Sequence, residues 1–257
     1  MNYGLYLSSN GINCSQQRMN VLANNLANVN TTGFKPSQVV LGERAREPES
    51  MHSMTDGRRL LEQLGGGTRI GYSAPNLKQG SIEQTSIQTD LALMGQGFLQ
   101  LESDQSGKHT LTRDGRLRFD SNGVLRHAAS DLAVLDPSGR QIRLRDEEQL
   151  HFGGFSPNGE LLDRNDLQAP FARLALVEVP AEALKLEGQN LFSAKDTPKP
   201  AGQVEVVGGS LEASRSDPVT GMVELIKLTR EIEMNSRLIQ YQDAMIGQAV
   251  TSLGRVV

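Results

Sequence analysis

The C-terminal stretch, residues 217–257, constrains the fold most. Leu225, Ile232, Ile239, Ile246 and Leu253 recur every seven residues without a miss. Such a repeat keeps one apolar stripe of an α-helix turned toward a partner, the pattern of a coiled coil. Asp217 stands where an N-cap is needed. Pro218 suits the first helical turn, where no backbone N–H is required. The spacing therefore predicts a long helix over 217–257. Its companion positions are read as Met222, Thr229, Ser236, Asp243, Val250 and Val257, which are mixed and partly polar. A further apolar edge (Leu238, Tyr241, Met245 and Ala249) widens the face beyond a two-helix seam and favours contact with more than one neighbour.

The other end of the chain carries a second stripe. Ile12, Met19 and Leu26 recur every seven residues, with Leu22 and Val29 offset from them. Residues 1–35 hold no acidic side chain and only two basic ones, Arg18 and Lys35, but eight Asn. The face opposite the stripe is thus amide and hydroxyl rather than charge. A neutral polar face is buried at much lower cost than a charged one, so this helix reads as built to be surrounded. It should stop near Asn28–Asn30, because Asn and then Gly33 tolerate the left-handed conformation and Pro36 forbids continuation. Asn24, Asn25 and Asn28 read as amide contacts between subunits, or alternatively as helix-terminating residues. Matched stripes at the two chain ends most simply pair with each other. Head-to-tail contacts through the leftover surface would then grow filaments or tubes.

Between the helices lie two regions of different composition. Residues 36–75 carry mixed charge and the triplet Gly65-Gly66-Gly67, and read as an extended connector, with a short helix over 55–64 as an option. Residues 76–216 read as β. Short apolar runs alternate with the turn clusters Asp104–Gly107, Asp120–Gly123, Asp136–Gly139 and Ser156–Gly159. Regular turns of this kind predict an antiparallel sandwich or barrel-like module. Gly95 and Gly97 fit a bulge or tight bend. Arg113, Asp114 and Gly115 fit a turn with a supporting ion pair. The fold class is α+β: terminal helices over 1–35 and 217–257 forming a coiled-coil domain, and a central all-β domain.

Composition excludes several functions. A net charge of −4 without a basic patch argues against nucleic acid. No run of 18 or more apolar residues is present to span a membrane. The N-terminus lacks a basic segment followed by an apolar core, so no cleaved secretory signal is expected. Cys14 is single, and His52, His109, His127 and His151 are scattered, so no metal or other cofactor is expected. No catalytic constellation stands out. Apolar residues at 37% and the absence of Trp make a lean core and point to burial against other chains.

The run Ala23-Asn24-Asn25-Leu26-Ala27-Asn28-Val29-Asn30-Thr31-Thr32-Gly33-Phe34-Lys35 resembles the N-terminal signature of the flagellar rod, hook and hook-associated family. Asp90–Phe98, Thr112–Gly115, Asn122-Gly123, Gly188–Phe192 and Leu211–Ser214 are similar to that family's later landmarks, and Glu231–Gly247 to its C-terminal helix. The resemblance implies a structural subunit of the basal-body rod with no enzymatic activity. It implies terminal helices that form an inner coiled-coil tube with the β domain outside. Implied partners are other rod subunits and further copies of the chain, the flagellar type III export apparatus, and the P- and L-ring bushing. The ending Gly247–Val257 resembles the proximal rod member more than the distal one. A non-polymerising type III secreted coiled-coil protein is the alternative of another class. On this reading Ile12, Met19, Leu22, Leu26, Val29, Leu225, Ile232, Ile239, Ile246 and Leu253 carry assembly. Ile239→Asp or Leu26→Asp should abolish assembly and leave the β module folded. Normal motility with either substitution would overturn the reading.

Overall fold

The computed structural model describes residues 2–43, 68–103, 108–166, 169–194 and 197–253. The expected option of a helix over 55–64, His52 and the turn cluster 104–107 lie outside the described residues, as does Val257. The chain divides into two compact units. One holds residues 1–26, 37–74 and 217–257; the other holds residues 27–36 and 75–216.

The first unit contains helix α1 (Asn2–Ala27), strands β1 (Ser37–Glu43) and β2 (Thr68–Pro75), and the C-terminal helix α3 (Pro218–Leu253). The start of α3 follows from its cap: an Asp217 carboxylate oxygen accepts the Val219 N–H at 3.0 Å, and the Thr220 hydroxyl donates to the other oxygen. The end of α1 at Ala27 is followed by turns at residues 28–30 and by Gly33 in the left-handed region at φ 67°. The segment read as a connector begins and ends as strand, because β1 and β2 pair into a two-stranded ribbon. Asn25 ties the ribbon to α1: its amide donates to the Ser37 carbonyl at 2.8 Å and accepts the Ser37 N–H at 2.9 Å. Cys14 is buried, its Sγ 3.8 Å from the Thr68 hydroxyl.

The two helices face each other in opposite directions. Gly4 lies against Gln242, Gly11 against Asn235, and Leu26 against Gly221. Ser15 donates to Glu231 at 3.2 Å, and Arg18 lies 3.8 Å from Glu224 and 3.7 Å from Glu231. Small residues of α1 thus receive large amides of α3 at one end, and the sizes reverse at the other. On α3 the covered row is Leu225, Leu228, Ile232, Asn235, Ile239, Gln242 and Ile246, spaced alternately by three and four. This corrects the companion row read from the sequence. Met222, Thr229, Ser236, Asp243 and Val250 are exposed, and the covered companions are Leu228, Asn235, Gln242 and Ala249. The reason is steric: Gly4 and Gly11 leave room for Gln242 and Asn235, so polar side chains occupy seam positions.

The second unit is built of short antiparallel pairings. A six-stranded sheet runs β13 (Leu184–Gly188), β14 (Leu191–Ala194), β6 (His109–Thr112), β5 (Phe98–Leu101), β12 (Leu176–Glu178) and β15 (Lys199–Pro200). A three-stranded sheet joins β11 (Ala172–Arg173), β10 (Glu160–Asp163) and β9 (Phe152–Phe155), the last preceded by the single-turn helix α2 (Asp146–Leu150). Three further pairs complete it: β7 (Leu117–Phe119) with β8 (Leu125–His127), β16 (Glu205–Gly208) with β4 (Leu91–Met94), and β17 (Ser210–Glu212) with β3 (Ile82–Gln84). Alternate residues of a strand point to opposite faces. Accordingly Leu99 and Leu101 enter a large core with Leu91, Leu125, Phe152 and Leu161, whereas Phe98 enters a smaller one with Leu111, Val177 and Phe192. Expected turns form at 120–123, 136–139 and 156–159, where Gly123, Gly139 and Gly159 take positive φ.

Leu228→Ala should destabilise the helical unit by about 2–4 kcal/mol, as for a buried leucine. Met222→Ala should change it by less than about 0.5 kcal/mol. Thermal melts followed by far-ultraviolet circular dichroism check the contrast.

Candidate assembly surfaces and a buried charge cluster

The helical unit keeps apolar surface uncovered. On α3 these side chains are Met222, Val223, Ile226, Met234, Leu238, Tyr241 and Met245, with Tyr241 67% and Met245 62% exposed. At about 100° per residue they spread over roughly 160° of the circumference of α3 outside the row that meets α1, and Met234 borders a groove with Gly11, Cys14, Arg18 and Leu41. On α1, Asn13, Gln16, Gln17, Asn20 and Asn24 are exposed, so its open side is amide-rich and free of charge. The ribbon exposes Val40, Leu41, Ile70 and Tyr72.

The sequence-derived interface residues fall differently. Ile12, Met19, Leu22, Leu26 and Val29 are half-buried, as are Leu225, Ile232, Ile239 and Ile246. The Leu253 side chain lies outside the described residues. Asn25 is buried at its ribbon contact. Asn28 accepts the Thr31 hydroxyl at 3.2 Å, and Asn24 is exposed.

In the second unit the residues after α1 are part of the β structure. Gly33 donates its N–H to the Glu212 carbonyl at 2.7 Å, and Phe34 is buried. A Cβ at Gly33 would come within 2.6–2.7 Å of main-chain atoms of Arg113 and Asp114. With its positive φ, the position therefore admits only glycine without strain. The Lys35 ammonium lies 2.6 Å from Glu212 Oε1 and donates to the Lys78 carbonyl at 2.9 Å. The Arg113 guanidinium lies 3.5 Å from Glu212 Oε2, donates to the Gly95 carbonyl, and sits 5.2 Å above the Phe98 ring. Glu212 Oε1 also accepts the Gly80 N–H at 2.8 Å. Asn190, in a turn where Gln189 and Asn190 both take positive φ, donates its side-chain amide to the Thr32 carbonyl at 2.7 Å. So the landmarks around residues 32–35, 95–98, 113, 190 and 212, scattered in sequence, meet at one place.

Lys35 and Glu212 are 2% and 0% exposed, so the cluster holds two cations and one anion away from water. Burial pulls the Lys35 amine and the Arg113 guanidinium below their ordinary values, against the attraction of Glu212. Removing one partner of such a pair costs about 3–5 kcal/mol, because the other charge is left buried alone.

Asp114 belongs to a neighbouring, separate cluster. The sequence reading joined Arg113 and Asp114 in one turn with one ion pair. In the structure they diverge: Arg113 goes to Glu212, whereas Asp114 takes Arg116 at 2.5 Å and has His127 Nε2 at 3.4 Å. His127 Nδ1 accepts the Ser130 N–H at 3.3 Å and lies 2.7 Å from its hydroxyl. His127 thus sits between Ser130 and Asp114, and this sequence of contacts packs a buried turn. The Gly115 main chain continues the turn, its carbonyl accepting the Leu91 N–H at 3.0 Å. Gly95 at φ 105° and Gly97 form the bend between β4 and β5. Lys35 and Glu212 went unread as a pair because nothing in the sequence joins residues so far apart. Their placement inside two of the quoted landmarks was the available signal.

Models of two families match the chain's flanks: flagella basal body rod protein over residues 5–35, and flagellar basal body rod FlgEFG protein C-terminal over residues 207–252. The flagellar basal-body rod protein FlgG of Borreliella burgdorferi is 30% identical over 95% of this chain and 96% of its own length. The chain belongs to the flagellar basal-body rod protein family. The rod protein FlgF of Caulobacter vibrioides is 26% identical over the full length of both chains. The hook protein FlgE of Helicobacter mustelae is 34% identical over 47% of this chain and 28% of its own. The family is a structural one, and this rod-family protein is not an enzyme. The two matched flanks include both halves of the Lys35–Glu212 pair as well as α3.

Asp114 makes the second unit sensitive to acid. Burial pushes its carboxyl up, but hydrogen bonds from His127 and Arg116, with the Arg116 charge, outweigh this and hold it below the ordinary value. A carboxylate depressed in the folded state contributes stability above its unfolded pKa of about 3.9, lost as pH falls through the folded value. Urea midpoints of the β unit should therefore drop below about pH 4. Asp114→Asn should lower the midpoint at neutral pH and flatten that drop; an unchanged acid slope would contradict the assignment.

Proposed function

We propose that this chain is a structural subunit of the flagellar basal-body rod that polymerises through its terminal helices. The observation that carries this reading is the uncovered apolar band of α3, Met222 to Met245, on a chain whose full length resembles rod proteins. α3 has one row for α1 and further apolar side chains that stay exposed among the described residues. Unlike surfaces on α1, α3 and the ribbon make contacts between copies heterologous, and heterologous contacts grow open-ended assemblies. The aliphatic heptad row then serves mainly to hold α1 and α3 together as a coiled coil, and the opposite band of α3 makes the contacts between subunits. The helices form the inner layer of the rod and the β unit the outer one.

The chain sits in the proximal rod, a position favoured by its ending, Gly247–Val257. The distal rod is the second placement, since the signature at 23–35 suits it equally. The subunit reaches the rod through the flagellar type III export apparatus, neighbours other rod subunits and spans the periplasm inside the P- and L-ring bushing.

Tyr241→Glu with Met234→Glu tests the assembly face. Both side chains are exposed in the single chain, so circular dichroism and thermal midpoint should match wild type. Rods in cells carrying the variant in place of wild type should be absent or truncated and swimming lost. Intact, motile flagella would refute polymerisation through this face. Cryo-electron microscopy of basal bodies from the source organism distinguishes proximal from distal placement. Intact rods without the chain would favour the non-polymerising alternative.

A further inference from the structure

We propose that Glu212 closes the β unit last, so that this unit acquires its fold only when residues 205–216 have joined it. The reading stands on the isolated chain and does not depend on the rod assignment. Among the described residues, Glu212 is the acid paired with both Lys35 and Arg113. Its side chain reaches Lys35, Gly80 and Arg113 across 177, 132 and 99 residues of chain. The segment that supplies it also supplies β16 and β17, the partners of β4 and β3. β4 contributes Leu91 and Leu93 to the large core, and β16 contributes Val206.

A chain without residues 205–216 would have to bury two cations, Lys35 and Arg113, the second over Phe98, without the carboxylate that pairs with both. An isolated buried cation is far costlier than a solvated one, so Lys35 and Arg113 stay in water and the segment 27–36 stays undocked. With β3 and β4 lacking partners, the large core lacks one wall. Closing a loop from residue 35 to residue 212 also costs entropy that is recovered only once the distant contacts form. Any chain that emerges N-terminus first therefore keeps this unit open until all but α3 has emerged. The first-made segment, 27–36, waits for the last-made one.

The test is refolding of the full chain from denaturant, with pulsed hydrogen exchange read by mass spectrometry. In wild type, amides of segments 33–36, 79–81 and 91–101 should gain protection in one phase together with 205–212. Glu212→Gln should slow that phase and speed native-state exchange of the same amides by roughly a hundredfold to several thousandfold. Replacing the whole cluster (Lys35→Met, Arg113→Met and Glu212→Met) removes the buried charge. Protection should return, and residues 98–103 and 108–144 should now be protected ahead of 205–212. Protection of 98–103 and 108–144 before 205–212 in wild type would overturn the proposal, as would exchange in Glu212→Gln within about threefold of wild type.

Discussion

Glu212 stands between two cations that the fold could not otherwise bury. Its carboxylate takes Lys35 and Arg113, and its main chain takes Gly33. Remove it and the cation over Phe98 has no counter-ion, and the segment leaving α1 is left with contacts such as those to Asn190 and the Lys78 carbonyl. The cluster is expensive to assemble, since three charges lose water for two ion pairs. What it gives in return is uniqueness of arrangement: only one pairing of distant segments satisfies all three charges. The β unit is made of short strands and small sheets, whose individual pairings are weak specifiers. A buried charge cluster supplies the specification that strand length does not.

The helical unit solves a different problem. Its seam is narrow and partly amide-lined, with glycine on α1 meeting Asn235 and Gln242 on α3. A seam of that kind does not absorb all the apolar surface of a helix as long as α3. The remainder, Met222 to Met245, stays exposed outside that seam. Exposed apolar bands of this extent mark contact surfaces in soluble proteins. The absence of charge on the open side of α1 fits the same logic, since amides accept burial where ammonium and carboxylate groups do not.

Much of this was legible from residues alone, where local rules decide. The cap at Asp217 and the turns at Asp120 and Asp136 follow from side-chain geometry a few residues long, and each forms. The seven-residue repeat located α3 and one edge of its seam. It did not fix the other edge, because a repeat of seven is satisfied by offsets of three or four. Asn235 and Gln242 enter the seam because Gly11 and Gly4 of α1, in another part of the sequence, leave room for them. The charge cluster was hidden for the same reason on a larger scale. Lys35 reads as one of two basic residues in an uncharged stretch and Glu212 as one acid in a short strand. Only the folded chain shows that they share a site. Arg113 and Asp114 misled by adjacency: neighbours of opposite sign suggest a pair, but they point to different partners.

The division into units follows an interleaved path. The chain passes between the helical and β units at residues 26–27, 36–37, 74–75 and 216–217. The units are therefore joined by four covalent crossings, whereas two domains in tandem would have one. A load applied to one unit is shared among four lengths of backbone. In a subunit of the flagellar rod, neither unit can therefore be removed by a single cut without also severing the chain that builds the other.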